Sequence, residues 1–183
     1  ESGQTSPEML QQFLRFMDGS GGVFIAPRSV WDTPFPLHKD LKEKAMTVKV
    51  GKAVEFIPFI EDLLERGYEH GEDLHLRPGQ YRRTGDQLDL FPIQSANPFR
   101  LEFEFDTVAR IKELDAEDPH KVVQDTKSVE ILPVRFQETA DLGRQFPKGA
   151  LLVLDDQDDL PDPPKVRMLR YTSFPESQEH HVH

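Results

Sequence analysis

Residues 78–106 read PGQYRRTGDQLDLFPIQSANPFRLEFEFD, and this stretch decides the fold of the chain. A first apolar run ends at Pro92, and a second run, from Phe99 to Asp106, alternates strictly between apolar and charged residues. Alternation with a period of two is typical of strands that bury one face. The stretch therefore predicts a β-hairpin over residues 87–105 whose apolar side chains, Phe105 included, face the core.

The outward side of this hairpin carries the candidate docking residues. Arg100, Glu102 and Glu104 alternate with the apolar positions and so share one side of the second strand. Arg82 and Arg83 precede the first strand, in a predicted turn framed by two glycines. Arginines and carboxylates on a rigid hairpin suit the docking of another protein better than chemistry on a small molecule. The predicted protein-binding residues are Arg82, Arg83, Arg100, Glu102, Phe103 and Glu104.

Composition and charge argue against several functional classes. Lys and Arg total 22 against 33 Asp and Glu, a formal net charge of -11. Such a surface repels phosphate backbones, so DNA binding by this chain is disfavoured. The chain has no cysteine, which removes disulfides, thiolate nucleophiles and cysteine-based metal centres and fits a reducing cytosol. No apolar run approaches the roughly 20 residues that cross a bilayer. A cytoplasmic location, with no membrane partner, is expected.

The sequence lacks the motifs of the common enzyme classes. It has no phosphate-binding GxxxxGK[ST] loop, no GxSxG elbow and no glycine-rich dinucleotide loop. We therefore predict that this chain is not an enzyme and has no catalytic residue, metal site or cofactor. Histidines at 70 and 75 are interpreted as part of a solvated loop. A metal-dependent hydrolase built on the acidic run at 155–159 and on the histidines is the contrasting hypothesis.

The remaining patterns predict an α+β fold. Its sheet is mixed or antiparallel, with the hairpin at its centre, packed by short helices and flanked by further strands. Three segments are expected: residues 1–36 with a helix and a strand, residues 37–136 as the docking module, and residues 137–183 with terminal strands and a flexible tail. A helix is predicted near 8–17, with Ser6 as N-cap before Pro7, and a second helix near 58–66 that ends at Gly67. Strands are predicted at 23–26, 47–50, 108–114, 129–132, 150–154 and 166–171.

Five short motifs occur in the order and at the spacings of one known module. They are GY at 67–68, PGQY at 78–81, DLFP at 89–92, FRLEFEFD at 99–106 and ILP at 131–133. Together they resemble the UvrB-homology (UvrA-interaction) module, which excinuclease subunit UvrB shares with the bacterial transcription-repair coupling factors (Mfd). The segments VFIAPRSVW at 23–31 and KVGK at 49–52 look more similar to the coupling factors. The resemblance runs from about Val23 to Phe136. It implies that the flanking strands, including one within residues 1–36, belong to a degenerate helicase-like layer.

The resemblance implies a docking surface for UvrA, the damage-scanning ATPase of nucleotide excision repair, with Arg100 and Glu102 on it. The chain would then be the amino-terminal part of a coupling factor that recruits UvrA to stalled transcription. The parent protein would be an ATP-driven DNA translocase, whose other domains are further candidate partners. The alternative is a free-standing regulatory protein that competes for UvrA or binds RNA polymerase.

This sequence departs from the module at two positions. The family usually has arginine immediately before the glycine that precedes the first hairpin strand, where this chain has Thr84. Arg83, one residue upstream, is predicted to substitute for it, although a slip of one residue on a strand reverses the facing side. Glu104 stands where the second strand commonly has an aromatic residue, which reduces the expected apolar contact.

Overall fold

A computed structural model describes residues 5–18, 23–137, 139–140, 142, 145–147, 149–155 and 166–171. These residues form a mixed α+β fold, as predicted, in which strands outnumber helices. The helices are α1 (Pro7–Met17), α2 (His38–Glu43) and α3 (Phe56–Glu65), with a 3₁₀-helix at Arg28–Asp32. The strands are β1 (Phe35–Pro36), β2 (Met46–Lys49), β3 (Glu69–His70), β4 (Gln80–Thr84), β5 (Gln87–Leu90), β6 (Phe99–Glu104), β7 (Thr107–Leu114), β8 (Val122–Thr126), β9 (Ser128–Ile131), β10 (Thr139–Ala140), β11 (Leu151–Asp155) and β12 (Arg167–Tyr171).

A six-stranded sheet in the order β3-β4-β5-β6-β7-β8 is the centre of the fold. The two-residue strand β3 pairs parallel with β4, and every other pair in the sheet is antiparallel. Three two-stranded pairings lie outside it: β1 with β10, β2 with β9, and β11 with β12. The predicted hairpin is confirmed as β5 and β6, with Leu88 opposite Leu101 and Asp89 opposite Arg100.

Two features of the predicted hairpin were wrong. Arg82 and Arg83 do not lie in a turn, because residues 80–84 form the further strand β4, which pairs with β5. Phe105 does not face the core, because β6 ends at Glu104 and residues 105–106 form the turn to β7. Its side chain is 99% exposed. The alternation in the sequence therefore extends one residue beyond the strand.

The helix ends follow local sequence signals. Ser6 is the N-cap of α1, where its side-chain oxygen accepts a hydrogen bond from the backbone N–H of Met9, as expected for Ser before Pro. Gly67 follows the carboxyl-terminal end of α3 and has a φ of 91°. The N–H groups of Gly67 and Tyr68 donate to the carbonyls of Leu64 and Leu63. This is a Schellman motif, and it confirms the predicted end of α3 at Gly67.

Two clusters of buried side chains make up the core. The larger lies between α3, β2, β9 and the six-stranded sheet, and includes Phe59, Leu63, Leu88, Leu101 and Ile111. The smaller surrounds α1 and includes Phe13 and Phe35, whose ring centroids lie 4.6 Å apart, together with Leu41, Ile93 and Leu132. α3 and one side of the sheet are thereby fixed to each other, which leaves the other side of the sheet for polar residues.

Tyr68 connects these two regions by hydrogen bonds. Its buried hydroxyl donates to the carbonyl of Leu132 at 2.9 Å and accepts from the N–H of Ile93 at 3.2 Å. Burial raises the pKa of the Tyr68 phenol well above its ordinary value, and the Ile93 hydrogen bond offsets part of that rise. The Gly67-Tyr68 pair therefore ends a helix and joins the two core clusters.

The amino-terminal strand at 23–26 was a wrong prediction. Residues 23–27 have no regular secondary structure, and Val23 and Ile25 are exposed. The prediction counted an apolar run as a buried strand, but Pro27 ends the run before it can pair, and a 3₁₀-helix follows. The predicted carboxyl-terminal strands are confirmed as β11 and β12, which pair parallel.

Other predictions concern residues that lie partly outside the described ranges. Most of the acidic run at 155–159 and the histidines at 180, 181 and 183 lie outside them. The division into segments 1–36, 37–136 and 137–183, and the helicase-like layer, stay predictions. No helix in the described ranges has both the length and the apolar character needed to span a membrane.

Candidate protein-docking site

The side of the sheet opposite α3 carries an ordered row of charged residues. Arg82 on β4, Asp89 on β5, Arg100 on β6, Lys112 on β7 and Asp125 on β8 are direct neighbours across five adjacent strands. Side chains at directly opposite positions on adjacent strands point to the same face. The row therefore gathers basic and acidic groups from five strands onto one surface.

Asp89 holds two of the predicted arginines. Its side chain is 8% exposed, and its two carboxylate oxygens lie 2.6 Å from Nε and 2.9 Å from Nη2 of Arg100. Nη2 of Arg82 lies 3.4 Å from the same carboxylate. The fork-to-fork geometry with Arg100 is the strong, directional form of an arginine–carboxylate pair. One carboxylate thus fixes the orientation of two guanidinium groups.

The electrostatics of the pair keep Arg100 charged. The hydrogen bond with Asp89 raises the pKa of the Arg100 guanidinium, and the negative charges of Asp89 and Glu102 act in the same direction, while partial burial opposes them. The Nε of Arg82 is buried without a hydrogen-bond partner among the described residues. Asp89 therefore accepts hydrogen bonds from two nitrogens of Arg100 and from one of Arg82.

A second row lies beside the first. Gln87, Glu102 and Arg110 are opposite one another on β5, β6 and β7. Glu102 accepts a hydrogen bond from Nζ of Lys112 at 2.6 Å, and its other oxygen lies 4.0 Å from Nε of Arg110. The Arg110 side chain is 66% exposed, much more than its neighbours. We call the six residues Arg82, Asp89, Arg100, Glu102, Arg110 and Lys112 the polar face.

Arg83 does not belong to the polar face. It follows Arg82 on β4 and therefore points to the opposite side of the sheet. There its guanidinium carbon lies 4.2 Å from the ring centroid of Phe56 on α3, and its Nε donates to the carbonyl of Gly85. Arg83 and position 84 therefore lie on opposite sides of the sheet, and the role of Arg83 in docking stays a prediction. Thr84 itself lies opposite Gln87, in the second row.

Phe103 and Glu104 separate in the same way. Phe103 is 7% exposed, and its ring lies 5.1 Å from that of Phe56 and 6.4 Å from that of Phe59, between centroids. Glu104 is exposed at the end of β6, on the side of Arg100 and Glu102. Phe103 supports β6 from the core side, whereas Glu104 extends the acidic part of the outward surface. Their predicted roles in docking stay predictions.

Sequence reasoning missed Asp89, Arg110 and Lys112. Asp89 interrupts an apolar run and was considered only as the first residue of the DLFP motif. Arg110 and Lys112 alternate with Ile111, which is the signal that places both on one face of β7. What the sequence does not show is the register between strands, and the register decides that these three residues lie beside Arg100.

His70 and His75, near the edge of the sheet, contact different residues. His70 is on β3, with its ring at right angles to that of Tyr81 and 5.7 Å away between centroids. Nε2 of His75 lies 3.2 Å from the carbonyl oxygen of Glu117. Within the described ranges, no group of three or more histidine and acidic side chains is arranged to hold a metal ion.

Comparison with known proteins finds a family match for the segment that carries the polar face. Residues 46–136, which contain β2 to β9 and the whole polar face, match the family described as the UvrB interaction domain. The chain is 28% identical over 137 residues to the transcription-repair-coupling factor of Haemophilus influenzae, a match covering 75% of this chain and 12% of that protein. It is 30% identical over 135 residues to the same factor of Bacillus subtilis, covering 71% and 11%.

A second kind of relative matches a shorter part of this chain. The chain is 36% identical over 80 residues to the UvrABC system protein B of Methanococcus maripaludis, covering 44% of this chain and 12% of that protein. In these three comparisons the matched part spans about one eighth or less of each relative. The shared part is therefore one module of much longer proteins.

Proposed function

Residues 46–136 belong to the UvrB interaction domain family, and from this premise we propose that the chain is a protein-docking module that binds UvrA in nucleotide excision repair. The parent protein in this proposal is a transcription-repair coupling factor, which uses the module to bring UvrA to stalled transcription. The module itself performs no catalysis. It would act in the cytoplasm, with the strand at 150–154 as part of a flanking helicase-like layer.

The observation that carries the proposal is the organisation of the polar face. A chain with a net charge of -11 places four basic side chains on one side of one sheet, around the two carboxylates of Asp89 and Glu102. Glu104 and Asp125 lie on the same side, so the four basic side chains are matched by four acidic ones, and this side of the sheet is far less acidic than the whole chain. A patch in which both signs of charge are held in fixed positions orients a partner surface that carries the complementary pattern.

The rigidity of the polar face suits a role in binding. Arg100 and Arg82 are already oriented by Asp89, so little side-chain entropy is lost when a partner carboxylate approaches. Arginines held in this way are frequent among the residues that dominate interface energies. Arg110 is the most exposed of the basic groups, so it has the most freedom to meet a partner.

A titration of this chain with purified UvrA tests the proposal. An Arg110→Ala, Lys112→Ala double variant removes two basic groups from the polar face while leaving the Asp89–Arg100 pair intact. We expect its dissociation constant to rise at least tenfold, with an on-rate that depends less on salt. Arg83→Ala is the matched control, because it removes one basic group from the other side of the sheet.

Two results would contradict the proposal. Equal loss of affinity in Arg83→Ala and in the double variant would show that total charge matters and the polar face does not. Wild-type chain that fails to bind UvrA well above micromolar concentrations would exclude this partner for the module. RNA polymerase, or another domain of the parent protein, would then be titrated under the same conditions.

A further inference from the structure

Phe105 combines full exposure with an unfavourable backbone conformation. It lies in the turn between β6 and β7, with a side chain that is 99% exposed and a φ of 55°. Among the described residues it is the only one besides glycines with a positive φ. Bulky residues rarely adopt this conformation, since the Cβ atom clashes with the backbone. Neither packing nor local geometry accounts for an aromatic residue at this position.

The turn is held firmly by its neighbours. The N–H of Val54 donates to the carbonyl of Asp106 at 2.7 Å, beside a β-bridge between Ala53 and Thr107. The N–H of Gly51 donates to the carbonyl of Val108, whose own N–H donates to Lys52 at 3.2 Å. A strained conformation persists where the surrounding structure fixes it, and such positions are frequently functional. The tip therefore presents the Phe105 ring from a rigid base.

The residues around Phe105 indicate what kind of partner it meets. Glu104 and Asp106 flank it, and the whole chain carries a net charge of -11. These charges oppose insertion into an anionic membrane and stacking on a nucleic-acid base. Of the possible partners, an apolar pocket in a protein is compatible with these charges. The Phe105 ring can be buried in such a pocket while Glu104 and Asp106 stay at the solvent-exposed rim of the interface.

We propose that Phe105 is an apolar anchor that inserts into an apolar pocket of the protein partner bound by the polar face. The proposal rests on the proposed function, since Phe105 follows directly on β6, the strand that carries Arg100 and Glu102. A rigid aromatic side chain buries a large area at low entropic cost, which is typical of the residues that dominate an interface. The polar face then orients the partner, and Phe105 supplies the apolar contact.

Replacing Phe105 by glycine separates binding from folding. Glycine adopts a positive φ without strain, so the Tm of Phe105→Gly is expected to equal or exceed that of the wild type. Its dissociation constant for purified UvrA is expected to rise at least tenfold, while Phe105→Tyr, which keeps a ring, retains most of the affinity. Leu64→Ala, at an exposed apolar position near the end of α3, is the control and should bind as the wild type does.

Each other outcome contradicts the anchor. If Phe105→Gly binds UvrA as tightly as the wild type while the Arg110→Ala, Lys112→Ala variant does not, the anchor is wrong and the proposed function stands. If the wild-type chain does not bind UvrA, both proposals fail together. If the Tm of Phe105→Gly falls by several degrees, the ring stabilises the fold, and its exposure does not serve a partner.

Discussion

Asp89 and Arg100 face each other across β5 and β6, with two short contacts between the carboxylate and the guanidinium fork. The same carboxylate also reaches Arg82 on the other neighbouring strand. One acidic residue, placed at the centre of three strands, therefore decides the orientation of both arginines. Asp89, which lies between apolar residues in the sequence, thus orients the arginines of the surface that we propose as the docking site.

Replacement of Asp89 by Asn should destabilise the fold strongly. The change leaves two partly buried guanidinium groups without a negative partner, which costs about 2–3 kcal/mol of the free energy of unfolding. Urea denaturation followed by circular dichroism measures this loss. Asp125→Asn is the matched control, since Asp125 lies in the same row but is exposed on the edge strand β8, and it should change stability by less than about 0.5 kcal/mol. Equal losses in the two variants would show that Asp89 has no special structural role.

Replacement of Gly67 by Ala should be costly for two reasons. The φ of Gly67 is 91°, and an added Cβ would lie 2.9 Å from both the Cβ and the backbone N of Arg135. We expect a loss of about 2 kcal/mol or more in the free energy of unfolding. Gly85→Ala separates the two reasons, because Gly85 has a φ of 60° but open space around the added atom. It should cost only about 1 kcal/mol. A Gly67→Ala variant no less stable than Gly85→Ala would contradict the close approach to Arg135.

Tyr68 should make stability sensitive to alkaline pH. Its pKa is raised in the folded chain from an ordinary value of 10.0, chiefly by burial. Above pH 10 the unfolded chain therefore loses a proton that the folded chain keeps, so the free energy of unfolding falls as the pH rises. One such group contributes a slope of about 1.4 kcal/mol per pH unit.

The Tyr68→Phe variant isolates this effect. Loss of the hydroxyl leaves the Leu132 carbonyl and the Ile93 N–H without their partner, which should cost about 1–3 kcal/mol at neutral pH. Between pH 10 and 11 the variant should lose less stability than the wild type. Tyr81, whose pKa is also raised by burial, stays in both proteins and cancels in the comparison. Identical pH slopes in the two proteins would show that Tyr68 does not titrate differently on unfolding.

Arg83 should contribute to stability and not to docking. Its guanidinium lies over the ring of Phe56, a contact worth about 0.5–1 kcal/mol at an exposed site. Arg83→Ala should lower the free energy of unfolding by that amount, and Arg83→Lys, which keeps a cation over the ring, by less. Affinity for UvrA should be unchanged in both variants by calorimetric titration. A large loss of affinity in Arg83→Ala would return Arg83 to the docking site.

Local signals in the sequence were sufficient for most elements of the fold. The alternation from Phe99 to Phe103 identified β6, Ser6 before Pro7 identified the start of α1, and Gly67 identified the end of α3. Each of these signals depends on a residue's own conformational preference or on the spacing of its immediate neighbours. For the same reason the α+β class and the central hairpin were predictable.

Only the tertiary structure decided which residues share a surface. From the sequence, Arg83 was a candidate substitute for the residue at 84, but on β4 it lies on the α3 side of the sheet. Phe105 was predicted to be buried, but β6 ends before it and it lies in an exposed turn. The sequence also allowed a buried strand at 23–26, which has no partner strand in the described structure.

The physical reason is the difference between periodicity and register. A period of two tells which residues of one strand face the same way, whereas the pairing between strands is set by hydrogen bonds among residues far apart in the chain. Asp89 and Arg100, eleven positions apart, become partners only through that pairing. The sequence by itself therefore determined which side chains of the hairpin strands alternate, and the register of the folded sheet determined the polar face.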